Sequence, residues 1–221
     1  MILAVVFGFL FGLFVPYMAR RFAKFMPATP AYALWQIFAH GKRAKGDKNK
    51  KLRKSFYWRS VMFGLATALI SAVLVYKFGE NGIGWVLAYV WILTLLAEID
   101  GRICLLPDIL TVPLLILGFA FATLGNGWVV AAESALGALV GYILPVLLSL
   151  ILVKKNKDAF GGGDIKLLAA LGAWQGVEPL FWTIAVASVL LLVYVLIRKQ
   201  RAAPFGPALA ASAMLVVFWF F

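Results

Sequence analysis

The chain has 221 residues, of which 64% are hydrophobic and 14% charged, with a mean hydropathy of +0.96. A soluble domain carries roughly a quarter charged residues, so an ordinary soluble enzyme and a disordered chain are both excluded. The 20 Gly have no period, which excludes a collagen-like chain, and the single Cys104 excludes an internal disulfide or a cysteine zinc site.

What remains is an all-α, polytopic membrane protein. A spanning helix needs about 20 apolar residues, and the apolar runs read in chain order give about eight. Ile2 to Met18 carries no charge. It lacks the basic start and small-residue cleavage site of a signal peptide, so a retained helix is expected. A basic loop follows, in which Ala31 to His40 holds Trp35, Ile37 and Phe38 and suits the membrane interface. Ser60 to Tyr76 is the second span, Asn81 to Ala97 the third and Ile109 to Leu124 the fourth. Gly125-Asn126-Gly127 is a turn signal. Ser134 to Val153 is the fifth span, and Lys154, Lys155, Lys157 and Asp158 then mark a polar loop. Ile165 to Gln175 is a short sixth segment, Pro179 to Ile197 the seventh, and Ala202 to Phe221 the eighth.

The formal net charge is +12. Twelve of the 21 basic residues fall within 19–59, where Asp47 is the one acid. Basic loops stay on the cytoplasmic side and favour anionic lipid heads. That reading is preferred to a nucleic-acid surface, since no aromatic residue interrupts the run from Lys42 to Lys54. With 19–59 in the cytoplasm, alternation also places 98–108, 154–164 and 198–201 there, and eight spans leave both termini outside. The chain therefore divides into 1–59, a first helix with its basic loop, and 60–221, a membrane domain.

Three acids stand out on that cytoplasmic face: Asp100 ends the third span, Asp108 begins the fourth and Asp164 begins the sixth. Ionisable groups beside hydrocarbon are costly and mark function by default. Asp108 after Pro107, and Asp164 after Gly161-Gly162-Gly163, also suit helix N-caps. Asp100 lies at a helix C-terminus, where the macrodipole disfavours a carboxylate, so a structural role does not explain it. Two carboxylates brought together suggest hydrolysis of a peptide bond without metal or serine: one activates water while the other donates a proton to the carbonyl oxygen. The helix ends assign Asp164 the role of base and Asp100 that of acid. Lys166 either snorkels to lipid heads or tunes the charge of the pair. Gly161 to Gly163 act through flexibility and close backbone approach, since no Walker lysine follows.

Three motifs resemble the type IV prepilin peptidase family of GxGD membrane aspartic proteases. The first is Asp100 followed by Leu106-Pro107-Asp108 and Thr111-Val112-Pro113. The second is Gly161-Gly162-Gly163-Asp164-Ile165-Lys166, and the third Pro204-Phe205-Gly206-Pro207. The resemblance covers about residues 85 to 221. It implies Asp100 and Asp164 as the catalytic pair, with Gly161, Gly163, Asp108 and Lys166 in support. It further implies cleavage of the short basic leader of prepilins or pseudopilins at the cytoplasmic face of a bacterial inner membrane, with no cofactor for the peptidase. Many members also N-methylate the new N-terminus with S-adenosylmethionine. The family's paired CxxC zinc region has no counterpart in residues 28–59, which hold no Cys, so no metal is expected and methyl transfer stays open. Three other readings compete: a preflagellin peptidase, a proton-coupled transporter, and a non-enzymatic component that binds pilin helices.

Overall fold

The computed structural model describes residues 2–25, 50–79, 82–124, 127–153, 161–199 and 203–221. The interfacial segment expected at Ala31 to His40, most of the 19–59 loop and the polar stretch 154–160 lie outside the described residues. Every element among the described residues is a helix: α1 (Ile2–Phe25), α2 (Lys50–Phe78), α3 (Ile83–Ile103), α4 (Asp108–Thr123), α5 (Ala131–Val153), α6 (Gly162–Gln175), α7 (Val177–Arg198) and α8 (Gly206–Phe220). Five of them, α1, α2, α3, α5 and α7, are long and apolar enough to cross a membrane. The chain is thus an all-helical, multi-pass membrane protein. The remaining three are shorter, and α6, at 14 residues, rises only about 21 Å, less than the roughly 30 Å hydrocarbon layer.

Helices extend beyond the apolar runs that announce them. The third ends at Ile103 rather than Ala97, so Glu98, Asp100 and Arg102 all lie on it. The sixth begins at Gly162 rather than Ile165, because the Gly161 carbonyl accepts from the Asp164 amide at 3.0 Å and the Ile165 amide at 3.3 Å. The eighth begins at Gly206, after Pro204, with Pro207 in its first turn.

The chain forms two compact units, Met1–Ile103 and Cys104–Phe221. Lipid tails are as apolar as leucine, so membrane helices associate through close packing and hydrogen bonds rather than hydrophobic burial. In the first unit Gly8 and Gly12 lie one turn apart on α1 and face α2. A methyl group on Gly8 would come within 3.1 Å of the Thr67 carbonyl, and one on Gly12 within 2.8 Å of Gly64 Cα. The buried Thr67 hydroxyl donates to the Gly8 carbonyl at 2.7 Å. Phe11 stacks on Trp91 at 5.1 Å, and the Trp91 indole N–H donates to Ser71 at 3.3 Å, which joins α3 to α1 and α2.

In the second unit α6 is the core. All nine residues from Leu167 to Gln175 are buried, while α5 and α7 turn Leu139, Leu147, Leu192 and Leu196 outward. Such outward apolar side chains are ordinary on a lipid-facing surface. Gly137 and Gly141 of α5 face Gly172 and Leu168 of α6 backbone to backbone, and a methyl group on Gly172 would overlap the Gly137 carbonyl. Ser134 donates to the Ala173 carbonyl at 2.6 Å, and Trp174 donates to the Leu114 carbonyl of α4 at 2.8 Å. Gln175 donates to the Ala213 carbonyl of α8 at 3.1 Å and accepts from Thr183 of α7 at 2.8 Å. Gly176 alone joins α6 to α7 and holds φ +78°, which a side chain rarely adopts.

Gly172→Ala should therefore force α5 and α6 apart and destabilise the protein by about 1–3 kcal/mol, the usual range for overpacking. Gly84→Ala on α3, where nothing lies within 4 Å of the added methyl, should leave stability unchanged or slightly raised. Thermal unfolding in detergent checks both.

Candidate active site

Two turns of the second unit carry the motif residues. The first runs from Leu106, which is buried, through Pro107 into α4. Pro107 is the N-cap, with φ −74° and ψ 133°, and makes no side-chain cap bond. Its fixed φ and missing N–H fit a position where no donor is needed. The Pro107 carbonyl accepts from the Leu110 amide at 3.0 Å and the Thr111 amide at 3.1 Å, which starts the helix. Asp108 is thus the first helical residue rather than the cap expected from the sequence. Its carboxylate turns away from the helix end to Lys166, whose ammonium donates to Oδ2 at 2.6 Å. Lys166, for which snorkelling and tuning of the acidic pair were both expected, is thereby tied to a carboxylate.

The second turn is Gly161-Gly162-Gly163-Asp164. Gly161 is the N-cap, so Asp164 is not a cap either but lies in the first turn of α6. The positive end of the macrodipole favours a carboxylate there. The three glycines differ in what surrounds them. A methyl group on Gly161 would lie 3.1 Å from Asp164 Oδ2, so Gly161 clears space for that carboxylate. One on Gly163 would lie 2.8 Å from Leu106 Cβ, so this glycine lets α6 press on the turn before α4. One on Gly162 would meet nothing within 4 Å. The G-x-G-D spacing thus has a steric meaning at both glycines and none at the residue between them. The Lys166–Asp108 bond and the Gly163–Leu106 contact join the two motifs.

Asp100 belongs to the first unit. It lies in the last turn of α3 at 4% exposure, and Glu98, on the same turn, at 5%. Glu98 had no role assigned from the sequence. In the structure it is an ion-pair centre: Arg59 of α2 reaches Oε2 at 2.8 Å, and Arg102 reaches Oε1 through Nε at 2.8 Å and Nη2 at 2.6 Å. The spacing of Glu98 and Arg102, four residues on a helix, was the available signal for half of this. Nothing in the sequence pointed to Arg59. Among the described residues no group of three or more His, Cys, Asp or Glu is placed to hold a metal ion. His40 lies outside them.

Helices that cross a membrane, with acidic side chains at the ends of α3, α4 and α6, define a polytopic membrane protein carrying a GxGD turn. The family model described as the type IV leader peptidase family matches residues 87–196. A prepilin leader peptidase/N-methyltransferase of Stutzerimonas stutzeri is 33% identical over 231 residues, covering 91% of this chain and 79% of the relative. Those of Dichelobacter nodosus and Pseudomonas putida are 36% and 38% identical, covering 71% and 69% of this chain and 56% of each relative. The chain belongs to the type IV leader peptidase family. It spans little more than half the length of the first curated relatives it matches, 56% in each case. No solved structure gives a significant match.

The Asp108–Lys166 pair is about half exposed on each side, and exposed pairs contribute about 0–1 kcal/mol. A double-mutant cycle of Asp108→Ala and Lys166→Ala, read by thermal unfolding, should give a coupling within that range. A coupling well above it would make the pair a principal support of the turn.

Proposed function

We propose that the chain is a membrane-embedded aspartic endopeptidase that removes the short basic leader of prepilins or pseudopilins at the cytoplasmic face of a bacterial inner membrane. Asp100 and Asp164 are its catalytic pair, within a peptidase region spanning residues 60–221. The observation that carries this reading is the GxGD turn itself. Gly161 is bare where Asp164 needs room, Gly163 is bare where Leu106 of the second motif approaches, and α6 directs its positive end at Asp164. The first turn of a helix is a favourable place for a carboxylate, and an acid beside hydrocarbon marks function. Asp100 supplies the complementary setting, a carboxyl almost wholly removed from water at the negative end of α3.

The chemistry follows from those settings. Asp164 takes a proton from water, and the oxygen so activated bonds to the scissile carbonyl carbon. Asp100 gives its proton to the carbonyl oxygen. When the tetrahedral intermediate collapses, the carbon–nitrogen bond breaks and the proton held by Asp164 passes to the leaving amine. The proton on the former carbonyl oxygen returns to Asp100, which restores the pair. The substrate's own apolar helix would lie beside lipid while its basic leader stays in water. The basic 19–59 segment would face anionic lipid heads on that side.

The names of the relatives also include N-methyltransferase. One cavity of about 450 Å³ along α5 is lined by Leu139, Val140, Ile143, Leu144, Leu147 and Leu148. Its apolar lining offers no partner to the carboxylate, ammonium or hydroxyls of S-adenosylmethionine.

Purified protein incubated with a prepilin should release the leader, read as the mass of the product, and a chelator should not slow it. Asp100→Asn and Asp164→Asn should each lower turnover by at least about 10²–10⁴-fold, the contribution of a positioned acid or base, in protein that unfolds like wild type. Full activity in either variant would end the proposal. An added methyl on the product would extend it to N-methylation.

A further inference from the structure

We propose that Arg59, Glu98 and Arg102 form a clamp that positions Asp100. This rests on the reading of Asp100 as one of the two catalytic carboxylates. The clamp residues are positioning residues: none is assigned contact with substrate.

Glu98 is 5% exposed on a spanning helix whose residues before it carry no charge, and a buried carboxylate there is costly unless fully paired. Its pairing is complete on both oxygens. Arg102 holds Oε1 from one turn further along α3, and Arg59 holds Oε2 from α2. The two guanidiniums act differently. Arg102 stiffens the last turn of α3 from within, whereas Arg59 ties that turn to a neighbouring helix. Helix ends fray because their final carbonyls lack partners, and Asp100 lies between Glu98 and Arg102 in the turn that would fray. At 3.6 residues per turn, Glu98 and Asp100 are separated by about 200° around the axis. The clamp thus grips one side of the turn and leaves Asp100 projecting from the other.

Packing alone would hold this turn with less penalty, since apolar replacement of buried ion pairs is often neutral or stabilising. Charge-assisted hydrogen bonds add fixed length and direction, and catalysis needs both: a displacement of about 1 Å at a reacting group costs up to 10²-fold in rate. A second hydrogen bond between α2 and α3, Trp91 to Ser71 at 3.3 Å, lies two turns away toward the middle of the span. Arg59 thus ties α2 to α3 at Glu98, two residues from Asp100.

Arg59 is 53% exposed, so replacing it leaves no cavity, and Arg102 still compensates Glu98. Steady-state cleavage of a prepilin by the full chain should show kcat of Arg59→Gln lowered about tenfold, with KM within about twofold. Its thermal unfolding should stay close to wild type. Arg59→Lys should recover most of kcat, and Arg102→Gln, which keeps the bond between helices, should lose less than Arg59→Gln. Wild-type kcat in Arg59→Gln would overturn the clamp, as would a loss that tracks lowered thermal stability and is not restored by Lys. Asp100→Asn in the same assay separates the two ideas. If it is inactive while Arg59→Gln is unaffected, the clamp alone falls. If wild type itself does not cleave, the peptidase reading falls and the clamp with it.

Discussion

The second unit depends on backbone meeting backbone where α6 crosses α5. Gly137, Gly141 and Gly172 remove the side chains that would hold these helices apart. Within lipid, that closeness replaces the hydrophobic drive that assembles soluble cores. A helix of 14 residues is too short to span a bilayer by itself, and α4, α5, α7 and α8 all pack against it. Its C-terminal end is fixed by Trp174, which donates to Leu114 and packs against Phe121 at 5.0 Å, and by the buried Gln175. Its N-terminal end is consequently held at a defined level, with Asp164 in the first turn.

The same use of small residues recurs at the other end of α6. Gly163 lets the helix press on Leu106, and Gly161 gives the Asp164 carboxylate its space. The first unit repeats the principle with Gly8 and Gly12 of α1 against Thr67 and Gly64 of α2. Its acid differs from Asp164 in setting, since Asp100 is buried beside an ionic centre at a helix C-terminus. One carboxylate thus lies in the first turn of its helix and the other, buried, in the last turn of its own. The family resemblance supplies the reason to assign both to one reaction.

Much of this was legible in the sequence. Apolar runs located the helices, five of which are long and apolar enough to cross a membrane where about eight spans were expected, and the three motifs announced the family. The helix ends were harder to read, because hydropathy scores a charged residue as loop. Glu98 and Arg102 continue α3 as a pair four residues apart, and Arg59, which the sequence does not display as a partner, joins Glu98 there. Gly161 to Gly163 read as a loose turn because glycine is a poor helix former, yet two of the three are helical, and one allows the approach of Leu106. Asp108 and Lys166 were each singled out, but their bond joins positions 58 residues apart, which no local pattern encodes. The pairs of glycines four residues apart, Gly8 with Gly12 and Gly137 with Gly141, stand in the sequence as small-residue seams.

The central claim is that steric emptiness at particular glycines, rather than chain flexibility, sets Asp164. The most direct measurement compares Gly163→Ala with Gly162→Ala for prepilin cleavage and thermal unfolding. Gly163→Ala should lose about 1–3 kcal/mol of stability and most of its activity, while Gly162→Ala keeps full activity and gains up to about 1 kcal/mol from better helix propensity. Equal effects at the two positions would contradict the account, since a merely flexible turn would feel either substitution alike.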